Sequence, residues 1–189
     1  SDFLAQSPKE KPFCFWLGTS EPHRGFESGA GKRTGKDPSR VIVPPIFPDN
    51  DIVRNDLLDY FVEIEHFDSQ VSRAIALLEK SGQLDNTIIV VTSDHGMPFP
   101  RAKASLYDDG SRVPLAIRWP KGITKPGRTI NDFINLSDLA PTFLKAAGLK
   151  PPSMMTAKSL IPIFENQLSK NHKAAFIAME RHDGCRKGG

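Results

Sequence analysis

The feature that most constrains the fold is a long stretch of helical periodicity, residues 51–80, which lies between two apolar runs. Its apolar side chains recur at intervals of three, four and seven residues, so a helix would place them on one stripe. The stripe consists of Leu57, Phe61, Ile64, Val71, Ile75 and Leu78. Gly82 supplies a stop signal just beyond it. We therefore expect a helix from Asp51 to Lys80 with one face packed against the protein.

The apolar runs before and after this helix are typical of buried strands. Residues 12–19 are rich in aromatic side chains and lack strict alternation, whereas residues 87–92 are β-branched. Further strands are predicted at residues 113–119 and 174–179. A strand, a long helix and a strand in this order are typical of a right-handed crossover in a parallel sheet. The predicted class is α/β, with a mostly parallel sheet flanked by helices.

The rest of the chain divides into one more helix and irregular segments. A helix is predicted from Leu136 to Ala147, with Ser137 as its N-cap and Gly148 closing it. Residues 26–50 are rich in Gly, Pro, Lys and Arg and have no periodicity, which indicates an irregular loop. We expect residues 1–10 to form a tail and residues 11–189 to form one domain.

Composition excludes several classes of protein. The chain has 189 residues, of which 39% are hydrophobic and 25% charged, as is usual for a globular domain. A net charge of +3 gives no basic stripe, so a nucleic-acid partner is not expected. No run approaches the roughly 18–20 apolar residues of a membrane span. The two cysteines, Cys14 and Cys185, have no metal-binding spacing.

Polar clusters follow two of the predicted strands, at Glu21–Arg24 and at Ser93–Gly96. Ligands of open α/β sheets bind beyond the carboxyl ends of the strands. The carboxylate of Asp94 suits Ca²⁺ or Mg²⁺, and capping of the next element is the alternative role. His23 is either a catalytic group or a loop histidine bonded to backbone.

The loop that follows His23 carries several cations. They either attract an anion or form a solvated basic surface, and the residue pattern alone leaves both readings open. These cations are Arg24, Lys32, Arg33, Lys36 and Arg40.

An ordered set of motifs makes the chain resemble the second half of the catalytic domain of the sulfatase family. The motifs are Pro12-Phe-x-Phe, Glu21-Pro-His-Arg24, Leu84-Asp-Asn-Thr-Ile-Ile-Val-Val-Thr-Ser-Asp-His-Gly96, Arg112-Val-Pro-Leu, Leu136-Ser-Asp-Leu-Ala-Pro-Thr142 and Gly148-Leu-x-x-Pro-Pro152. The stretch Gly96–Lys103, with Leu106-Tyr107, is most similar to the heparan N-sulfatase (sulfamidase) branch.

This resemblance implies an alkaline-phosphatase-like fold and hydrolysis of a sulfate ester or sulfamate, on a sulfated sugar or another small sulfate ester. It implies a bound Ca²⁺, with Mg²⁺ as the alternative, and a formylglycine nucleophile. Asp94 and His95 match the metal-ligand pair, with imidazole the poorer match for Ca²⁺. His23 and Lys103 match catalytic residues that contact the sulfate. His182 and Arg186 lie where substrate choice is shaped, or else in an exposed polar loop.

The resemblance also predicts what this chain lacks. The amino-terminal half of the domain, with the Cys/Ser-x-Pro/Ala-x-Arg nucleophile motif and a pair of aspartate ligands, is expected to be absent. Cys14 and Cys185 do not begin such a motif, and Asp37-Pro-Ser-Arg40 only echoes its tail. The chain alone is therefore expected to be inactive, to bind Ca²⁺ poorly and to self-associate through an exposed sheet.

Two other functions fit the same residues. One is a phosphatase, phosphodiesterase or phosphonate hydrolase of the same superfamily, and the other is a noncatalytic binding domain. Sulfatases of this type are often exported, so the resemblance favours a periplasmic, lysosomal or secreted location.

Overall fold

The computed structural model describes residues 2–8, 10–166 and 172–178, which form two compact units. The first unit comprises the residues up to Leu84 together with Gly96–Lys103, and the second comprises Asp85–His95 and the residues from Ala104 onward. The helices are α1 (Asp2–Gln6), α2 (Ala30–Arg33), α3 (Asp51–Lys80), α4 (Asp108–Ser111), α5 (Leu139–Ala146) and α6 (Ile161–Phe164). The strands are β1 (Ile89–Thr92) and β2 (Leu115–Arg118). Among these described helices, none combines the length and apolar character that crossing a bilayer requires.

Helix α3 has the predicted bounds, because local signals define both of its ends. The side chain of Asn50 accepts a hydrogen bond from a backbone N–H of the first turn. At the other end Gly82 adopts a left-handed φ of 72°, and the Gln83 N–H donates to the Leu78 carbonyl at 3.0 Å. This Schellman arrangement satisfies a carbonyl of the last turn. The predicted helix and its stop signal are both confirmed.

The core of the first unit forms between α3, the segment before it and the Gly96–Lys103 loop. Its buried side chains are Val41, Leu57, Leu58 and Phe99. Helix α2 approaches α3 so closely that a Cβ at Gly31 would lie 2.4 Å from the Cβ of Leu58. The buried carboxylate of Asp59 accepts hydrogen bonds from the N–H groups of Gly29 and Gly31, each at 2.8 Å. Residues 26–50 are irregular apart from α2 and a 3₁₀ turn at Pro38–Arg40, as predicted.

The apolar run at residues 12–19 is not a buried strand, and that prediction is wrong. The run has no regular structure, and the exposed fractions of Trp16 and Phe15 are 88% and 55%. A strand is stabilised by ladder hydrogen bonds to a neighbour, and none of the described residues provides one here. The ring of Phe3 on α1 instead packs against Phe13 and Phe15.

The sheet of the second unit differs from the predicted parallel one. Strands β1 and β2 pair in antiparallel register, with Ile89 opposite Arg118 and Thr92 opposite Leu115. The predicted strands at 87–92 and 113–119 are thus confirmed in shorter form, and β1 is half-buried on both faces rather than fully buried. Because the first apolar run joins no described sheet, the parallel crossover through α3 does not form among the described residues. Residues 174–178 are irregular rather than a strand, and Met179 lies outside the described residues.

Helix α5 begins differently from the prediction that made Ser137 its N-cap. A 3₁₀ turn, Leu136–Asp138, precedes it, and the Asp138 carboxylate accepts a hydrogen bond from the Asn135 N–H at 3.1 Å. The reach of Asp138 back to Asn135 thus satisfies the orphan donor, so the Ser137 prediction is wrong. Gly148 closes the helix with a φ of 74°, as predicted.

A buried polar network joins α5 to the segments that follow it. Asp138, which is fully buried, also accepts from the Lys158 N–H and lies 2.9 Å from the Nε2 of His172. The Thr142 hydroxyl donates to the Asp138 carbonyl at 2.6 Å and accepts from the Leu160 N–H at 2.8 Å. Buried polar groups are stabilising when they are satisfied in this way.

Candidate functional site

His23 and Lys103, 80 residues apart in sequence, lie in direct contact in the first unit. The Nζ atom of Lys103 is 2.9 Å from the Nε2 atom of His23. His23 lies in the turn that follows residues 12–19, and the N–H of this residue closes that turn on the Ser20 carbonyl at 2.8 Å. Lys103 is half-buried at the end of the Gly96–Lys103 loop, and its own N–H donates to the Met97 carbonyl at 3.0 Å. Both predicted catalytic residues therefore share one site.

The hydrogen bonds of His23 define its tautomer. Its Nδ1 lies 2.9 Å from the Arg24 carbonyl, which can only accept, so Nδ1 carries the proton. Its Nε2 faces an ammonium group, which can only donate, so Nε2 is the acceptor. The ring is therefore neutral in this arrangement, an assignment inferred from its partners. Lys103 keeps further N–H donors for an anion.

Arg24 anchors this site, a role that the sequence analysis missed. Its Nη1 and Nη2 atoms donate to the two carboxylate oxygens of Asp56 on α3 at 3.0 and 2.8 Å. Its Nε donates to the Pro98 carbonyl at 3.0 Å. The guanidinium also lies 4.7 Å from the ring centres of both Phe26 and Phe99. No local sequence signal identifies these partners, since Asp56 and Pro98 are 32 and 74 residues away.

The other cations of the basic loop are partly neutralised. Arg33 lies 2.7 Å from a carboxylate oxygen of Glu27, and Lys36 lies 2.7 Å from one of Glu65. Together with Arg24, three of the five predicted cations thus have acidic partners. This pairing favours the solvated basic surface over an anion-attracting loop.

Glu21 shares the turn with His23. A hydrogen bond from its own backbone N–H, with smaller contributions from the Ser20 hydroxyl and from the charge of His66, lowers the pKa of the Glu21 carboxyl below its ordinary value. The carboxylate is therefore negative at neutral pH. It adds a negative charge to the turn at which we expect the sulfate to bind.

The segment Ser20-Glu-Pro-His-Arg24 corrects one expectation, because it has the Ser-x-Pro-x-Arg spacing that the sequence analysis reported missing. Its arginine is held by Asp56, and its histidine contacts Lys103. Two residues of this motif, His23 and Arg24, are therefore engaged in contacts with Lys103 and Asp56. Ser20 itself lies in the turn, outside any described helix.

Asp94 and His95, which the family resemblance predicts as a metal-ligand pair, follow β1 in the second unit. The Asp94 side chain is 86% exposed, and its Oδ2 lies 3.7 Å from the His95 Nε2. The backbone beside them is held by the Ser93 hydroxyl, which donates to the His95 carbonyl at 2.7 Å. An exposed carboxylate at a strand end can bind Ca²⁺ through oxygen, which is the donor that this ion prefers.

Further acidic or imidazole ligands do not surround this pair in the described part of the chain. No group of three or more His, Cys, Asp or Glu side chains there is arranged to hold a metal ion. The predicted substrate-binding residues His182 and Arg186 lie outside the described residues. Convergence of Asp94 and His95 with His23 and Lys103 on one pocket stays a prediction, because the two pairs belong to different units.

An open cleft of about 1680 Å³ lies within the second unit. Asp94 and His95 line it together with Arg112, and Phe133 and Phe176 contribute aromatic surface. Its volume exceeds the roughly 300–1,000 Å³ of most small-ligand pockets, so the cleft as a whole is large enough to admit a sugar-sized molecule.

Comparison with known proteins gives a family for this constellation. The family model described as Sulfatase matches residues 1–149. An ulvan-active sulfatase from Formosa agariphila is 35% identical over 81% of this chain. The human N-sulphoglucosamine sulphohydrolase is 27% identical over 85% of it. The chain spans 26% and 38% of the lengths of these two relatives.

Solved structures give a similar result. A protein in complex with its substrate D-glucosamine-2-N,6-O-disulfate matches 79% of this chain with a TM-score of 0.58 and 32% identity. The phosphonate monoester hydrolase of Agrobacterium radiobacter matches 72% with a TM-score of 0.62 and 27% identity. This chain covers 30% and 28% of those two chains. The likenesses support the α/β, alkaline-phosphatase-like class that the sequence predicts.

Proposed function

Because the chain belongs to the sulfatase family, we propose that it forms the sulfate-recognising part of a hydrolase that cleaves sulfate esters or sulfamates of a sulfated sugar. The contact between Lys103 and His23 is the observation that carries the proposal. It brings a cation and an imidazole together from distant parts of the sequence. The relatives named for ulvan and for N-sulphoglucosamine support a sulfated carbohydrate as the substrate class.

Lys103 and His23 have complementary parts in this proposal. The ammonium of Lys103 donates to an oxygen of the sulfate and stabilises the charge that grows there as the bond to sulfur breaks. The neutral ring of His23 orients that ammonium through Nε2. For His23 to protonate the leaving oxygen or nitrogen, Nε2 must first gain a proton, which requires Lys103 to turn aside.

Asp94 is the residue of this chain that we propose to bind Ca²⁺, with His95 as a less suitable neighbour. The fit rests on the exposed carboxylate at the end of β1. When bound, the ion would polarise a sulfate oxygen and acidify the hydroxyl of the nucleophile. Asp94 and His95 alone make an incomplete ligand shell for an ion that takes six to eight oxygens.

A sulfate titration of the chain followed by NMR tests this proposal. The side-chain signals of His23 and Lys103 should move together as sulfate is added. Lys103→Met and His23→Gln should each lower the affinity by about tenfold or more, since the first removes the cation and the second removes the ring that orients it. Lys32→Met, which removes a lysine of the basic loop, is the matched control. Equal weakening by Lys32→Met would contradict the proposal.

Phosphonate or phosphate ester hydrolysis is the second candidate function, which the likeness to the phosphonate monoester hydrolase favours. Titrations with sulfate, phosphate and methylphosphonate would separate the two. If the chain is part of a sulfatase, it should bind sulfate most tightly. Tighter binding of methylphosphonate would instead support phosphonate ester hydrolysis.

Turnover is a separate question, because we expect the nucleophile to be absent from this chain. The chain should not hydrolyse p-nitrophenyl sulfate, and the Ser-x-Pro-x-Arg spacing at Ser20 makes this expectation worth testing. Any activity that Ser20→Ala abolishes while sulfate binding persists would show that Ser20 supplies the nucleophile. Absence of the motif from a complete gene would instead support a noncatalytic binding domain.

A further inference from the structure

Arg24 stands out because its side chain connects the three segments that build the candidate sulfate site. Two of its nitrogens donate hydrogen bonds to the carboxylate of Asp56 on α3. The third donates to the carbonyl of Pro98, which belongs to the loop that ends in Lys103. The rings of Phe26 and Phe99 lie against the guanidinium, each at 4.7 Å. All these residues belong to the first unit.

The charge of Arg24 is committed to these contacts. Its two-pronged contact with one carboxylate is the geometry that a guanidinium forms best, and a lysine cannot reproduce it. Because Asp56 neutralises the guanidinium at 2.8–3.0 Å, Arg24 is poorly suited to bind the sulfate itself. Its contribution must therefore pass through the residues that it holds.

The backbone of Arg24 provides the link to His23. The Arg24 carbonyl accepts the Nδ1 hydrogen bond that selects the tautomer of His23. With the Arg24 side chain fixed on α3, this carbonyl has a defined direction. The hydrogen bond from Arg24 to Pro98 holds the second loop, and the Lys103 N–H joins that loop at the Met97 carbonyl. One residue thus sets both partners of the Lys103–His23 contact.

We propose that Arg24 is the positioning residue of the sulfate site, where it fixes the Nδ1–H tautomer of His23 and holds Nε2 toward Lys103. This inference rests on the proposed function, because the purpose of the arrangement is to present Lys103 to an anion. The Asp56 carboxylate is its required partner. Arg24 itself need not touch the substrate.

NMR of the chain labelled with ¹⁵N-histidine tests the proposal, because the nitrogen shifts report which ring nitrogen carries the proton. The wild-type chain should show His23 as the Nδ1–H tautomer, with His23→Gln identifying its signals. Arg24→Lys and Asp56→Asn should each convert it to a mixture of tautomers and weaken sulfate binding by about tenfold. Arg33→Lys, at an arginine of the same unit that pairs with Glu27 instead, should leave both readouts unchanged.

The outcomes separate this inference from the proposed function. A wild-type His23 protonated at Nε2 would overturn the positioning role without any variant, even if Arg24→Lys fails to fold. An unchanged tautomer in folded Arg24→Lys and Asp56→Asn would also overturn it. If the tautomer responds as expected but the wild-type chain binds no sulfate, the positioning of His23 stands and the proposed function fails.

Discussion

The His23–Lys103 pair and the Asp94–His95 pair are both predicted parts of the site, but the surrounding residues hold the two pairs differently. Lys103 reaches His23 across 80 residues of sequence, and Arg24 ties both loops to α3 and to each other. Asp94 and His95 are sequence neighbours at the end of β1, and the Asp94 carboxylate is largely exposed.

The two pairs therefore differ in how far their side chains are ordered before a ligand binds. The first pair has its hydrogen bonds and tautomer in place before any anion binds, so binding need not order its side chains. The second pair presents an exposed carboxylate at the end of β1, and no group of three or more His, Cys, Asp or Glu in the described part of the chain encloses a metal ion there. Variants in the two regions should therefore fail in different ways.

The largest effect is expected from Asp94→Ala in a sulfatase that contains this chain together with its nucleophile. Loss of the carboxylate should lower activity by about a hundredfold or more and reduce the bound Ca²⁺, because a ligand of the ion is removed. Metal analysis and aryl sulfate hydrolysis measure the two effects. Asp85→Ala is the matched control, since its side chain is also 86% exposed but pairs with Arg118. Full turnover in Asp94→Ala would contradict the proposal that Asp94 binds the metal ion.

Asp59→Ala tests whether the first unit depends on α3 as a rigid support. The N–H groups of Gly29, which is half-buried, and of Gly31, which is buried, would lose their acceptor, which should lower the free energy of unfolding by about 2–6 kcal/mol at about 1–3 kcal/mol for each donor. Urea denaturation measures this loss. The exposed Asp68 lies on the same helix, and Asp68→Ala should cost less than about 0.5 kcal/mol. Similar losses in both variants would show that burial of Asp59 is unimportant.

Thr142→Val tests whether the stability of the second unit depends on the buried contacts of α5 rather than on Asp94 and His95. The Leu160 N–H loses its acceptor in a fully buried position, so we expect a loss of about 1–3 kcal/mol in urea denaturation. Thr156→Val, at an exposed threonine, should be close to neutral. The tautomer of His23 should be unchanged in both variants, and a changed tautomer would break the separation drawn between the two pairs.

The smallest effect concerns acid stability in the first unit. A hydrogen bond from Arg54, aided by its charge, lowers the pKa of Asp49 below its ordinary value of 3.8. The ionised carboxylate therefore stabilises the fold above pH 3.8, and this contribution is lost as the pH falls through the folded pKa. Asp49→Asn should lower stability at pH 7 and converge with the wild-type chain in acid. Urea denaturation at both pH values measures this, and Arg54→Gln should abolish the difference.

Sequence reasoning succeeded where the signals are local. Helix α3 has the predicted bounds because Asn50 and Gly82 define its ends within a few residues. Residues 87–92 and 113–119 contain strands because each run has a strong β preference. The candidate pair His23 and Lys103 came from the family resemblance, and the structure brings these two residues together.

The failures share a dependence on distant partners. Residues 12–19 have the composition of a strand, but pairing requires a neighbour that composition cannot supply. The N-cap at Ser137 was wrong because the reciprocal contact of Asn135 with Asp138 is decided by side-chain geometry. Arg24 looked like one loop cation among several, since its partners Asp56 and Pro98 are remote in sequence.

The close approach at Gly31 sets a limit on how this protein can vary. A methyl group there would overlap the Cβ of Leu58 and crowd the Leu58 backbone, so any larger residue must push the two helices apart. A saturation library at this codon, selected for folded chains, should return one amino acid. At Gly35 an added Cβ would meet no neighbouring atom, so only the left-handed φ of 79° restricts the residue. A library at this position should therefore also return asparagine, which tolerates that conformation.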